Sequence, residues 1–509
     1  MSVSATDTLS SNTPTQSGYW HYEPSSHELF KGDELSRPNE KQLPGRTLSA
    51  LQIDGNATNA GDRSTTQTAD GKDVYVDPLH ETREVSIARE RTIVDGGFGQ
   101  RYVSSDQLVF TTGAGNDNVG VSRNDDGTYR VTVNGEEYDV AMAPDQELTI
   151  RSGAGNDVIA VDPDVDINIV VDGGAGNDRI TTGAGNDRVD GGIGDDIIST
   201  GAGRDDVFGN GGKDRIDAGA GDDVVYGGDG DDELLGAAGN DYLEGGEGAD
   251  RILGGDGDDM LSGGLGNDTL ESELGNDRVY TGGGSDTVSN SAGSDTVYAQ
   301  ATSDRVSAAD GARNTVVNIE LSGTPGSQGV SVQGSDAFRQ RVEADIEFLR
   351  SSPNGQQMLA EFDAAAAQGN TVTIVELQNE QNGFASSSGG EIVNGRPSPG
   401  SDVTIAYNPA FHMADFPAPV VVLFHEMSHA YNGVNGTFQP GAYAGSDLQD
   451  VNAGVPNAER QAVGLDTTAP AFDFDRNPNT PPTTHNPTAL TENGLRTELG
   501  LPLREHYAL

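Results

Sequence analysis

The chain has 509 residues, of which 70 are glycine and none cysteine, and a formal net charge of −51 at pH 7. That length accommodates two or three domains, and the lack of cysteine excludes disulfides, thiolate metal sites and cysteine nucleophiles. The charge opposes nucleic acid and anionic membranes as partners, because phosphates would be repelled. It suits a protein that holds many divalent cations, or else an acidic disordered chain.

In chain order, residues 1–100 are polar and rich in Ser, Thr, Asp and Glu, which predicts a largely disordered N-terminal region. The opening MSVSATDTLSSNTPTQSGYW has neither a basic start nor an apolar core, so no cleavable signal peptide is expected. Export, if it occurs, needs another route. No apolar run approaches membrane-spanning length, so no stable membrane insertion is expected. Residues 101–172 carry short β-like runs, with Asn134-Gly135 as a hairpin turn.

From Asp178 an aspartate recurs every nine residues through Asp304. An apolar residue follows each by two positions, and glycine precedes each by two except at Thr302. Isolated copies stand at 111–119 and 151–159. The glycines permit tight turns, while aspartate carboxylates and turn carbonyls supply hard oxygen ligands suited to calcium. The apolar position lies on a short strand and points inward. A flexible linker would need neither the phase nor the apolar position. The expected calcium-binding residues are Asp178, Asp187, Asp196, Asp205, Asp214, Asp223, Asp232, Asp241, Asp250, Asp259 and Asp268. Two nonapeptides make one coil, predicting a roll over 173–310 about 30–35 Å long. Around Asp295 and Asp304 the glycines fade, which predicts a calcium-poor cap. Residues 173–306 hold 24 Asp and 5 Glu against 8 Lys and Arg, a net charge of −21. Without calcium the coils should repel one another.

Over 320–509 the composition is ordinary and predicts a compact α+β domain: helices over 338–349 and 355–367, strands over 371–377 and 402–409, then a helix carrying VVVLFHEMSHAYN. His425 and His429, four apart, share a helix face and can present two imidazoles to one zinc ion. Glu426 stands beside them, placed to act as general base toward water at the metal. The longer motif that adds Gly and a third His is absent, since Asn432 and Asn435 hold those places. A third ligand must therefore come later. Glu459 on a following helix is preferred, with Asp447 as the alternative and Asp450 a further candidate. Tyr443 and Tyr507 are candidate oxyanion stabilisers, as are Arg504 and His506. The strand over 402–409 is a candidate edge along which an extended polypeptide could pair.

Five segments in order, FLRSSPNGQQML, DVTIAYNP, VLFHEMSHAYNG, NAERQAVGL and TENGLRTELGLPLREHY, resemble the NleD-like family of zinc metallopeptidase effectors. The resemblance covers roughly 335–509. It implies zinc at His425 and His429, with Glu426 as catalytic acid/base, and it matches Glu459 to an acidic position of the family. It also implies a bacterial protein delivered into host cells by type III secretion, acting on host signalling proteins such as MAP kinases. The nonapeptides resemble RTX, or hemolysin-type, calcium-binding repeats, which imply type I export and folding in external calcium. The resulting expectation is a multidomain chain with a central RTX parallel β-roll and a C-terminal α+β zincin-like metallopeptidase domain. It would be a secreted, virulence-type enzyme, extracellular or delivered into a host cell, with one catalytic zinc, several structural calciums and a protein substrate. The alternative is a calcium-dependent extracellular binding protein whose peptidase domain is inactive.

Overall fold

The computed structural model describes residues 50–57, 63–68, 72–95, 101–144, 146–308, 313–321, 323–377, 383–388, 390–409, 418–444, 453–474 and 481–505. Two long sheets, of 14 and 16 strands, make the roll. Alternate nonapeptides fall on alternate sheets. Through most of the repeat run the strands pair in parallel with the strand 18 residues on, as Arg179 with Ile197 and Arg188 with Asp206. The apolar positions form two facing ladders, Ile180, Ile198, Ile216 and Leu234 on one sheet and Val189, Val207, Val225 and Leu243 on the other, all buried. These ladders drive closure, because each coil alone has no apolar surface to bury except against its neighbours. The turn glycines are dictated by sterics. Gly221 has φ +146°, and a Cβ there would lie 1.4 Å from the carbonyl oxygen of Gly203 one coil away.

The roll reaches further toward the N-terminus than expected. Strands Leu51–Asp54, Ser64–Gln67, Asp73–Glu81 and Ser86–Asp95 extend both sheets, so the expectation of disorder across 1–100 is corrected for those residues. Their alternation is imperfect, but tertiary pairing supplies what local pattern lacks: Leu51–Asp54 runs parallel to Tyr138–Ala141, and Ser86–Asp95 antiparallel to Arg101–Thr111. Residues 1–49 lie outside the described residues. The isolated copies stack beneath the main run through Ala114, Ala154 and Ala175. Asn134 (φ 50°) and Gly135 (φ 87°) turn the expected hairpin.

In the C-terminal region, β1 (Val330–Gln333), α1 (Asp336–Ser351), α2 (Pro353–Ala366), β2 (Val372–Glu376), β3 (Gly383–Ser387), β4 (Val403–Tyr407), α3 (Pro419–Asn435), α4 (Asn457–Val463) and α5 (Glu492–Leu499) follow in order. Ser335 caps α1 by accepting from the Phe338 amide, and Ser352 caps α2 by accepting from that of Gly355. The sheet order is β1-β2-β4-β3, with only β3 antiparallel. This corrects two expectations. Residues 402–409 form an interior strand, and the edge strand beside it is β3, inside a stretch read as a polar loop. The small residues GFASS give little strand signal on their own.

The roll and this domain share one hydrophobic core. Phe208, Tyr226, Tyr242, Tyr280 and Tyr298 project outward from one sheet of the roll and are buried against the domain. Tyr280 stacks on Tyr298 with centroids 4.4 Å apart and meets Phe348 of α1 at 4.4 Å. Buried polar contacts tie the same seam. Tyr226 donates to Asp345 at 2.8 Å, Tyr407 of β4 donates to the other Asp345 oxygen at 3.1 Å, and Arg341 pairs with Asp206. Lower down, the Tyr280 hydroxyl donates to the Glu498 carboxylate (3.1 Å), while Tyr298 and Arg278 donate to the Glu498 carbonyl (3.2 Å each), which seats α5 on the roll.

Candidate metal centre

α3 begins at Pro419, whose missing N–H costs nothing in the first turn, and stops at Gly436 in the left-handed region (φ 65°). It is buried along its length, so His425, Glu426 and His429 project from a central helix and not from a surface one. α4 is held across it by Gln461. That side chain donates to Asn432 (2.8 Å), Asn486 (2.9 Å) and the Thr437 carbonyl (3.0 Å). Asn432, which departs from the longer motif, is thus a packing hub for α3 and α4.

This clamp brings Glu459 to the histidines. Its Oε2 lies 3.0 Å from His429 Nε2 and 3.7 Å from His425 Nε2. One donor atom from each of the three side chains lies within 4.8 Å of the others. Tetrahedral zinc with bonds near 2.0–2.1 Å sets its ligand atoms about 3.3–3.5 Å apart, so two nitrogens and one carboxylate oxygen in this arrangement fit zinc. Burial opposes the Glu459 charge, but His429 and His425 outweigh it and hold the carboxyl well below its usual range. Burial pushes the Glu426 carboxyl up against the pull of His425 and His429.

A further residue carries the site. Glu492, the first residue of α5, is fully buried, and its Oε2 lies 2.9 Å from His425 Nδ1. Arg496 donates to its other oxygen at 2.7 Å and Arg504 to Oε2 at 3.2 Å. Burial would raise this carboxyl, yet His425, Arg504 and Arg496 hold it at about 2. For His425 burial favours the neutral ring, and the hydrogen bonds of Glu459 and Glu492 overcome it, raising the imidazole to about 10. A carboxylate on Nδ1 fixes the tautomer that leaves Nε2 for a metal. Glu492→Gln is expected to weaken zinc binding about 10–100-fold, measured by competition with a chromogenic chelator. Unchanged affinity would remove Glu492 from the site.

Two of the remaining expected residues, Tyr443 and Arg504, are among the described ones. Arg504, one of the candidate oxyanion stabilisers, donates to Glu492. Tyr443 packs its ring under the Arg460 guanidinium, 3.8 Å from carbon to centroid. Asp447, Asp450, His506 and Tyr507 lie outside the described residues.

The aspartates of the roll form a second set of donors. Apart from Asp187, which accepts from the Ile169 N–H (2.7 Å), each takes the backbone N–H of the aspartate one coil earlier on one oxygen, as Asp178 N–H to Asp196 Oδ1 (2.7 Å) and Asp223 N–H to Asp241 Oδ1 (2.9 Å). At every step from Asp178 to Asp286, and at Asp117 and Asp157, the other oxygen is buried with no hydrogen-bond partner. A row of such acceptors fits calcium, which takes carboxylate and carbonyl oxygens. The row ends where the cap was expected: Asp295 Oδ2 accepts from Asn290 (2.8 Å), and Asp304 Oδ2 from Thr281 (2.8 Å) and the Gln300 amide (2.7 Å).

Burial pushes Asp196, Asp205, Asp214, Asp232, Asp241, Asp250 and Asp268 up to about 7 and Asp223 to about 9, from an ordinary 3.8. The folded calcium-free roll therefore binds more protons than the unfolded chain between pH 4 and 7 or above. Its stability is fully present below the unfolded value and falls as pH rises through the folded ones. Circular dichroism without calcium should show β-structure near pH 4 that is lost by pH 8 and restored there by calcium. A calcium-indifferent β spectrum at pH 8 would contradict this.

Stacked nonapeptides with a row of calcium-type donors, joined to an α+β domain built on a His-Glu-x-x-His helix, define a repeat roll carrying a peptidase-type domain. Residues 326–507 match the Peptidase_M91 family, described as an effector protein. Residues 172–312 match the RTX calcium-binding nonapeptide repeat in successive overlapping segments. Comparison with curated proteins finds no match. The C-terminal domain thus matches an effector peptidase family and the repeats match the calcium-binding type, a pairing consistent with secretion. No helix among the described residues is long and apolar enough to cross a membrane.

Proposed function

We propose that the C-terminal domain is a zinc-dependent metalloendopeptidase acting on a protein substrate, and that calcium builds the roll on which it stands. The convergence of His425, His429 and Glu459 around one point, with Glu426 on the next position of the same helix, carries this reading. Those three would hold zinc, and Glu492 would orient His425. Bound zinc would supply Lewis acidity toward the scissile carbonyl. Glu426 takes a proton from the attacking water and returns it to the leaving amine, a task for which a carboxyl raised by burial is suited. β3 passes beside Glu426, where a Cβ on Gly383 would lie 3.1 Å from Glu426 Cγ. An extended substrate can pair along this edge strand. The roll's charge favours action where calcium is plentiful, outside the producing cell; host signalling proteins are the substrate class the resemblance implies.

The test is a peptide-library cleavage assay on the full chain, stripped with EDTA and then given calcium with or without zinc. Cleavage only with zinc supports the enzyme. Calcium binding without zinc uptake or cleavage would make the protein a calcium-dependent binding module.

A further inference from the structure

A cavity of about 380 Å³ lies on the seam between the roll and the peptidase domain, remote in chemistry from the His/Glu centre. That volume falls within the range of about 300–1,000 Å³ typical of small-molecule sites. Its inner wall includes Phe208, Tyr226 and Glu244 from the roll, and Ile346 from α1 faces them. Phe208, Tyr226, Glu244, Ser262, Tyr280 and Tyr298 are successive members of one column in parallel register. All but Glu244 and Ser262 are aromatic and fill the seam.

Glu244 is the anomaly. Its side chain is 0 % exposed, and neither carboxylate oxygen has a hydrogen-bond partner. Ser262 approaches it without hydrogen-bonding geometry, and the Ser262 hydroxyl is also unpartnered. Leaving a buried polar group without a partner is costly, so three such atoms together on the seam call for a complement. The surrounding charge says which sign. The ionisable neighbours of Glu244 are Asp345, Asp250 and Glu347, all acidic, and Asp229, Glu247 and Glu343 stand at the exposed mouth. Two cations stand near these acids: Arg350, which lines the cavity, is paired with Glu347, and Arg341 is committed to Asp206. A metal ion is a poor fit. Among the described residues the only set of three or more His, Cys, Asp or Glu side chains with converging donor atoms is His425, His429 and Glu459. The walls beside Glu244 are apolar, with Val332 and Ile346 opposite.

We propose that this cavity binds a linear aliphatic polyamine, with one ammonium against Glu244 and Ser262, the methylene chain along Val332 and Ile346, and a second ammonium at the acidic mouth. Glu244 supplies the charge-assisted hydrogen bond that anchors the ligand, and the apolar walls select an alkyl spacer over a hydrated metal. The site depends on both halves of the molecule, since roll and α1 each provide one wall.

The experiment is isothermal titration of spermidine into the calcium- and zinc-loaded full chain, in excess calcium and 0.15 M sodium chloride to suppress surface adsorption. One saturable site is expected. Affinity should fall at least tenfold in Glu244→Gln, and also in Val332→Phe, which fills the cavity and leaves the carboxylate intact. Circular dichroism and calcium content confirm that each variant is folded, and if Glu244→Gln is not, Val332→Phe carries the comparison alone. No saturable heat in the parent would show that the cavity holds only water and would overturn the proposal. So would equal affinity in the folded variants, which would mark spermidine as bound to the acidic surface.

Discussion

Glu426→Ala abolishes measurable peptide hydrolysis, with kcat reduced by about 10²–10⁴, while zinc content stays at that of the parent. The expectation follows from position. Glu426 shares α3 with the two histidines but is not one of the three converging donors, so removing it takes away the proton carrier and leaves the metal ligands in place. Burial already raises its carboxyl above the ordinary carboxylate value, the direction that suits a group that must both take and return a proton. Steady-state kinetics on a defined peptide, with zinc measured by mass spectrometry on the same sample, checks both halves. A zinc-loaded variant as fast as the parent would exclude Glu426 from proton transfer, and a variant without zinc would make its role structural.

Withdrawal of calcium at pH 8, with free zinc held constant, lowers zinc affinity by at least tenfold and abolishes cleavage with it. α5 carries Glu492 at one end, on His425, and Glu498 at the other, held by Tyr280, Tyr298 and Arg278 of the roll. At pH 8 most of the roll aspartates with values near 7 are ionised. Their mutual repulsion without calcium opens the coils and removes the three anchors of α5. Loss of outer contacts to a metal-bound histidine typically costs 10–100-fold in affinity. Zinc affinity measured by competition at several calcium concentrations reads the coupling directly. A domain that keeps zinc and activity in a calcium-free, unfolded-roll state would show the two metals to be independent.

The amino-acid sequence disclosed the parts whose chemistry is local. A nine-residue phase and an apolar position dictate the roll, because each coil repeats the same turn and the same inward side chain. Four-residue spacing puts His425 and His429 on one face, and the helix start at Pro456-Asn457 pointed to Glu459. Whatever depended on tertiary context stayed hidden. Glu492 looks like one more acid in TENGLRTEL until α5 folds against α3. β3 escaped notice because its strand character comes from pairing with β4, not from GFASS itself. The strands before residue 95 were masked in the same way by polar composition. One overlooked signal was readable: Phe208, Tyr226, Tyr280 and Tyr298 lie at multiples of 18 residues, two nonapeptides, on the outward side of the apolar position. Aromatic residues repeated outward on one sheet of a roll announce a docking face.

The central claim is that one zinc ion at His425, His429 and Glu459 performs peptide hydrolysis. Zinc titration of the metal-stripped full chain in excess calcium, followed by cleavage rate, tests it most directly. The rate should rise linearly and break at one zinc per chain, and His429→Ala should remove the rise. Cleavage that is already complete before zinc is added, or that does not appear at any zinc occupancy, would contradict it.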